Sequence, residues 1–187
     1  MALTRSDVVA AALEILDEYG LADLSMRRVA GHLEVAPGAL YHHVENKQTL
    51  LAGIADAILA GVECPPGPWR ASVTGWAANL RDALLAHRDS ADLVASARAF
   101  GLVSVDMLGR PILVLAASGL PEAVARSAAS TLMHFVLGHV AEEQARREWV
   151  RLTAAGAVKG GVQPQEDDQE RFDNGVALIL DGAATSL

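Results

Sequence analysis

The sequence predicts an all-α protein made of two helical parts. Apolar residues make up 51% of the 187 residues and recur mainly at helical spacing, with no run of alternating strands. That apolar fraction is enough for a substantial core. The stretch CPPGP at residues 64–68 interrupts the helical pattern most sharply, because proline and glycine both end helices. We therefore expect one part over residues 1–61 and another over residues 62–187.

The first helix is expected to begin near Thr4. Thr4 and Asp7 have the spacing of a capping pair, and the helical pattern continues to about Tyr19, where Gly20 ends it. One face of this helix carries apolar side chains and is predicted to be buried, and its residues are Val9, Ala12, Leu13, Leu16 and Tyr19.

The pattern of residues 25–47 indicates a short helix, a tight turn and a second helix. Ser25 is a good N-cap for the first helix, whose apolar stripe is Val29, Ala30 and Leu33. Pro37 fits the first position of the second helix, where its missing N–H costs nothing, and Leu40 and Val44 fall four apart on the buried side. The open face of the second helix then consists of Gly38, Ala39, Tyr41, His42 and His43. This is the layout of a helix-turn-helix, whose second helix lies in the DNA major groove.

Charge is the main argument against a nucleic-acid partner, because phosphate binding depends on cationic side chains. The chain carries a net charge of −8, and residues 1–47 contain four bases against seven acids. Most of those acids lie on the first helix and its exit, whereas Arg27, Arg28 and Lys47 flank the second short helix. We infer a small basic strip on an acidic molecule, with modest non-specific affinity for DNA.

The run LYHHVENKQTLL contains Tyr-x-x-Val, then Asn-Lys, then a Leu-Leu pair. This spacing, with the helical pattern and the turn, resembles the DNA-binding domain of the TetR family of bacterial transcription regulators from Thr4 to about Gly61. The resemblance implies a lever role for a fourth helix that begins at Lys47, with Asn46 as its cap. Glu34 departs from the family, which usually has glycine in the turn. A positive φ at this residue would cost about 1 kcal/mol.

The resemblance also implies two roles within the DNA-binding surface. The positions that hold phosphate or the groove edge are Arg27, Tyr41, His43 and Lys47. The positions that face the bases are Gly38, Ala39 and His42, and Arg28 and Pro37 complete the predicted surface. Gly38 and Ala39 offer only backbone and methyl contacts, so His42 is the best candidate for a hydrogen bond to a base edge. The alternative is that the two histidines are merely exposed side chains.

The second part is predicted to contain five helical segments. They are Trp69 to His87, a short helix capped by Ser90 that ends near Ala99, a weaker segment from Leu102 to Ala117 that Pro111 kinks or splits, Glu122 to about Thr153, and Gln169 to about Ala184. The sequence GAVKGGVQPQEDD at residues 156–168 is expected to form a mobile loop.

The last two of these helices carry apolar and small residues that require a partner. The resemblance implies that they form a four-helix bundle with the same helices of a second subunit, across a two-fold axis. We therefore expect a homodimer. Its predicted interface residues are Thr131, Gly138, Phe172, Val176, Ile179 and Ala183.

Three runs of the second part, ALLAHRDSADLV, HFVLGHVAEEQ and FDNGVALILDG, resemble members of the family that bind a magnesium–drug chelate. By that resemblance Trp76 occupies the position of an asparagine that binds the drug, and Leu80 occupies that of an aromatic residue. Val94 occupies the position of the metal-binding histidine, and Ala97 occupies that of a threonine. Residue types are kept at Arg98, His134 and Glu142. An effector site over these seven positions would be largely apolar. The alternative is that Trp76, Leu80 and Val94 simply fill the core.

Neither a metal nor a cofactor is expected. His139 and Glu143 lie one helical turn apart, but no HExxH motif or Cys/His cluster supplies the three or four ligands that transition metals usually need. No GxSxG motif or phosphate loop is present, so we expect no enzyme. The single cysteine, Cys64, the lack of a signal peptide and the lack of a membrane-spanning apolar run indicate a cytoplasmic protein.

These observations together predict a ligand-responsive DNA-binding transcription regulator. We expect a repressor that a hydrophobic small molecule releases from a palindromic operator. The alternative is a helical ligand-binding or protein-interaction module without DNA activity, and an all-helical enzyme is a weaker third possibility.

Overall fold

The computed structural model describes residues 3–156 and 167–187, and within them every regular element is a helix. This confirms the all-α class. None of these helices is long and apolar enough to cross a lipid bilayer. Most of the loop expected at residues 156–168 lies outside the described residues. The helices are α1 (Arg5–Tyr19), α2 (Met26–His32), α3 (Pro37–Leu40), α4 (Lys47–Leu59), α5 (Trp69–Leu85), α6 (Ser90–Ala99), α7 (Gly109–Ala117), α8 (Glu122–Ala154) and α9 (Asp168–Ala184).

Contacts between residues divide the chain into two compact units. The first unit consists of Met1–Gly61 and Ala83–Asp106, and the second of Val62–Asp82 and Met107–Leu187. A boundary after residue 61 was predicted, but the grouping of α6 with the first unit was not. That grouping arises from contacts between residues far apart in the sequence, which local patterns do not reveal. The functional division at residue 61 stays a prediction.

α1 has the predicted ends but a different buried face. The Thr4 hydroxyl accepts from the Asp7 N–H at 3.2 Å, and the Thr4 N–H donates to the Asp7 carboxylate at 2.9 Å. The hydroxyl and N–H of Thr4 hold the pKa of Asp7 below its ordinary value. The predicted stripe is wrong in part, because Val9 and Leu13 are only half-buried and Tyr19 is exposed. The buried residues are Val8, Ala11, Ala12, Ile15 and Leu16.

The turn between α2 and α3 is tight, and Glu34 takes a positive φ of 55° in it. Ser25 caps α2, since its hydroxyl accepts from the N–H of Arg28 at 3.2 Å. The N–H of Val35 then reaches back to the carbonyl of Ala30 at 3.0 Å, which closes the end of the helix. α3 begins at Pro37 as predicted and is only four residues long.

Two helix starts in the middle of the chain differ from prediction. Ser90 is not an N-cap: the cap is Asp89, which has φ of 53°, and the Ser90 hydroxyl donates to the carbonyl of Leu84. Pro111 neither kinks nor splits a helix. It lies in the first turn of α7, where its missing N–H breaks no hydrogen bond, and residues 102–108 are not helical.

A buried ion pair joins α5, α8 and α9 in the second unit. Arg81 donates to the Glu143 carboxylate at 2.9 Å and to the Gln169 amide oxygen at 2.7 Å, and its guanidinium lies 5.1 Å from the Phe172 ring centroid. Both charged side chains are almost fully buried. Removing either partner would leave an uncompensated buried charge, so these three helices are held in one arrangement.

We predict that Glu34→Gly stabilises the protein by about 1 kcal/mol, because glycine adopts a positive φ without the steric cost that glutamate has. Urea unfolding measures the change. Glu34→Ala is the matched control, since it removes the same charge but keeps a Cβ in the strained position. Equal stabilisation by both variants would show that charge, not backbone strain, is responsible.

Candidate nucleic-acid interface and effector site

The open face of α3 is exposed because two apolar side chains turn inward. Leu40 and Val44 are almost fully buried in the first unit. Pro37, Gly38 and His42 are exposed, Tyr41 is 53% exposed, and Ala39 and His43 are half-buried. A Cβ added at Gly38 would meet nothing within 4 Å, so the backbone of α3 can be approached closely from outside. The structure therefore brings the predicted base-facing residues to one surface.

The three cations predicted for the DNA surface differ in their surroundings. Arg27 and Lys47 are exposed, and Lys47 is the first residue of α4. Arg28 forms an ion pair with Asp23 at 3.0 Å, and its guanidinium lies 4.4 Å from the Tyr19 ring centroid. These contacts hold the Arg28 side chain between α1 and α2, and its role at the DNA surface stays a prediction.

The start of α4 is fixed next to α3. The Asn46 side chain accepts from the N–H of Thr49 at 2.8 Å, as the predicted cap requires. Lys47 therefore projects from an ordered helix N-terminus, where the helix dipole also favours anions. An exposed lysine at such a position is suited to a phosphate group.

The seven predicted effector residues are divided between the two units. In the second unit Trp76 and Leu80 are fully buried on α5, whereas His134 and Glu142 are exposed on α8. Glu142 approaches Arg146 at 3.6 Å and Arg171 at 3.7 Å. The burial of Trp76 and Leu80 agrees both with the predicted effector site and with the alternative that these side chains fill the core.

In the first unit the three effector residues lie on α6. Val94 and Ala97 are buried, and Arg98 is half-buried. The role of these side chains as ligand contacts stays a prediction.

The predicted interface residues separate into two groups on α8 and α9. Thr131 and Gly138 are exposed and Ile179 is half-buried, as an interface requires. Phe172 and Val176 are only 1% and 2% exposed, so these two pack within their own chain, whereas Ala183 is 8% exposed and lines the groove between α8 and α9. The prediction is wrong for Phe172 and Val176, because the apolar side of α9 faces α8 of the same subunit.

An apolar groove lies on the exposed side of α8 and α9. Its volume is about 280 Å³. Leu178, which the sequence did not single out, is 72% exposed there. The groove is lined by Val124, Ser127, Ala128, Thr131, Leu178, Ile179, Gly182 and Ala183.

His139 and Glu143 have structural partners instead of a metal-ligand arrangement. The His139 Nε2 is 3.1 Å from the carbonyl oxygen of Asp168, and Glu143 accepts from both Arg81 and Arg147. Burial, with the nearby Arg81 charge, lowers the pKa of His139. In the part of the chain that the structure describes, no group of three His, Cys, Asp or Glu side chains could hold a metal ion.

Known proteins resemble both parts of this chain. The family described as bacterial regulatory proteins, tetR family, matches residues 8–54, and the one described as tetracyclin repressor-like, C-terminal domain, matches residues 63–159. The tetracycline repressor protein class A of Escherichia coli is 31% identical over 97% of this chain and 91% of its own length.

Solved structures are similar over the whole chain. BioQ of Mycobacterium smegmatis is 38% identical, with a TM-score of 0.89 and full coverage of both chains. A crystal structure of BioQ with its double-stranded DNA operator has a TM-score of 0.82 at 37% identity, covering 98% of this chain and 99% of that one. Streptomyces coelicolor ActR in complex with (S)-DNPA has a TM-score of 0.80 at 29% identity, again with full coverage of both chains.

Proposed function

This chain belongs to the TetR family of bacterial transcription regulators, and we propose that it is a repressor that a hydrophobic small molecule releases from its operator. Like the repressors of this family, it binds operator DNA and responds to a small-molecule ligand. The observation that carries the proposal is the exposed face of α3, which two buried side chains hold outward. A similar chain has been solved on its operator.

The charges of the first unit support specific rather than tight general binding. Arg27 and Lys47 are exposed cations beside α3, while the chain as a whole is acidic. A net charge of −8 weakens non-specific association with DNA, so much of the affinity must come from contacts at the α3 face. His42, which is exposed on that face, is our candidate for base recognition, with Gly38 and Ala39 against a thymine methyl.

A dimer can bring the α3 faces of two subunits to one operator. Proteins of the family are dimers, and two copies of α3 can read two half-sites of a palindrome. We place the interface on the exposed side of α8 and α9, around the apolar groove and Leu178. A symmetric interface buries the same residues of both subunits, so one substitution affects both sides.

The effector is proposed to be mainly hydrophobic and to bind without magnesium. Trp76 and Leu80 are apolar and fully buried, and Val94, which takes the place of a metal-binding histidine, has no atom that coordinates a cation. By the same resemblance, the half-buried Arg98 is proposed to pair with an acidic group on the ligand. Binding releases DNA if the ligand prefers the conformation with low operator affinity.

One observation is also compatible with a different function. The first unit is acidic around α1, and a helical ligand-binding or protein-interaction module without DNA activity would be compatible with that charge. The two proposals differ in one result. A regulator enriches a specific sequence from a random pool of double-stranded DNA, and a module without DNA activity does not.

We also propose that the protein acts in the bacterial cytoplasm, where its operator DNA lies.

We predict that Lys47→Ala weakens binding to every DNA sequence and flattens the salt dependence of log K by about one unit, because one phosphate contact is lost. His42→Ala should instead relax the preference at one base position by about 1–3 kcal/mol. Fluorescence anisotropy on the enriched sequence and on its single-base variants measures both effects. Arg126→Ala removes a charge from α8 and should leave both quantities unchanged. The reverse pattern, with sequence preference altered only by Lys47→Ala, would refute the division of roles.

Leu178→Glu is expected to convert the dimer into a monomer, because it places two like charges in the apolar interface across the two-fold axis. Light scattering at several concentrations gives the mass. Leu113→Glu is the matched control: Leu113 is also a largely exposed leucine, but it lies on α7 outside the groove. A dimer that survives Leu178→Glu would exclude this interface.

We expect an aromatic or aliphatic compound, found by its effect on the melting temperature, to change tryptophan fluorescence equally with and without EDTA. The response should be largely lost in Trp76→Phe, since Trp76 is proposed to contact the ligand. Trp149→Phe, which changes an exposed tryptophan on α8, is the control and should retain the response. A ligand that releases DNA only when magnesium is present would contradict the proposed site.

A further inference from the structure

Most carboxylates in residues 1–61 have a partner within the chain. This range contains eight acidic residues, and the six with a hydrogen-bonding or ionic partner are Asp7, Glu14, Asp17, Glu18, Asp23 and Asp56. The other two, Glu34 and Glu45, are exposed and form no hydrogen bond or ion pair with the residues that the structure describes. They lie in the turns immediately before and after α3. The uncompensated negative charges of this range therefore flank the proposed DNA surface.

Glu45 is held at the junction between α3 and α4. Val44 before it is 1% exposed, and the Asn46 side chain after it accepts from the N–H of Thr49 at 2.8 Å to cap α4. The backbone of Glu45 is therefore fixed on both sides, while its side chain is exposed. Lys47, which is proposed to bind phosphate, is two residues away, so their Cα atoms are at most about 7 Å apart. The structure describes both side chains and records no ion pair between them.

A carboxylate in this position repels DNA. A phosphate bound by Lys47 would lie on the order of 10 Å from the Glu45 carboxylate, which is close to the screening length of about 10 Å in 0.1 M salt. Two like charges at this distance in water lower an association constant by about twofold, and by more where a protein surface reduces the dielectric constant. Neighbouring phosphates add to the repulsion, because DNA carries a charge about every 1.7 Å along its axis.

We propose that Glu45 is an affinity-limiting residue of the DNA surface, whose carboxylate repels the phosphates near Lys47 and weakens association with DNA of every sequence. This inference rests on the proposed function. Unrelated DNA is held mainly through its phosphates and is released, whereas the operator has the base contacts of α3 in addition. The effect depends on where this one charge lies, and it is distinct from that of the net charge of −8.

Fluorescence anisotropy tests the proposal with the sequence enriched from the random pool and with an unrelated duplex of the same length. At about 50 mM salt, Glu45→Gln should tighten both complexes about threefold or more, because it removes the charge at almost unchanged size. This gain should shrink as salt is added, since screening weakens the repulsion. Glu45→Lys should tighten both complexes about tenfold or more and steepen the salt dependence of log K by about one unit for each copy that meets a phosphate.

Glu170→Gln is the matched control. Glu170 is exposed on α9, outside the first unit, and its replacement changes the net charge by the same amount. It should leave both affinities unchanged. Melting temperatures separate repulsion from a purely structural role, because a carboxylate beside the N-terminus of α4 also interacts favourably with the helix dipole. In that role alone, Glu45→Gln would lower the melting temperature without tightening either complex.

Three results would overturn the proposal. They are unchanged affinities in Glu45→Gln, an equal gain in Glu170→Gln, and a gain confined to the operator, since repulsion by phosphates does not depend on sequence. If the wild-type protein enriches no sequence from the pool, the proposed function fails and this proposal fails with it. An operator that the wild type enriches and that Glu45→Gln binds no more tightly leaves the proposed function intact and removes only the role of Glu45.

Discussion

The short helix α3 cannot maintain its own conformation, and the proposed activity depends on what holds it. A single helical turn is unstable in water, because nucleation fixes several dihedral angles for one hydrogen bond. Here Leu40 and Val44 anchor the segment in the core, and full burial of such a side chain contributes about 1.5–3 kcal/mol. Pro37 presets the first φ angle and Glu34 reverses the chain, at a cost in backbone strain. The exposed face is therefore a consequence of the core beneath it.

Charged side chains form a buried ion pair in the second unit, whereas in the first unit some attach helices and others stay exposed. In the second unit Arg81 and Glu143 are paired inside the protein, where they fix helix positions and are unavailable to a ligand from solution. In the first unit Asp56 and Asp89 accept backbone N–H groups and attach both ends of α6, while Arg27 and Lys47 stay exposed. An acidic protein can thus use some of its carboxylates for structure and still keep Arg27 and Lys47 exposed beside α3.

Local features of the fold could be predicted from the sequence. The caps at Thr4, Ser25 and Asn46 and the start of α3 at Pro37 depend on neighbouring residues only, and the structure confirms them. Ser90 was assigned wrongly because its hydroxyl has a second possible partner, the carbonyl of Leu84, which a cap motif does not consider.

Longer-range features could not be predicted in the same way. Helical spacing identifies an apolar face but not the surface that covers it, so a face packed within the chain looks like one packed on a partner subunit. Phe172 and Val176, which are buried within the chain, were assigned to the interface for this reason, and the exposed Leu178 was not singled out. The contacts of Arg28 with Tyr19 and of Asp56 with Ser104 leave no sequence signal, because each is determined by how separate segments of the chain pack together. The DNA-contacting and effector residues remain assigned by resemblance and by exposure.

We propose that two copies of α3, held by one dimer, read two half-sites on the same face of DNA. The most direct measurement compares the affinity for the enriched operator with that for the same DNA carrying about five extra base pairs between its half-sites, which is roughly half a helical turn. We expect two half-sites about 10–11 base pairs apart, or a multiple of that distance, and a fall in affinity towards that of unrelated DNA after the insertion. Unchanged affinity would show that the two α3 helices do not bind as a fixed pair.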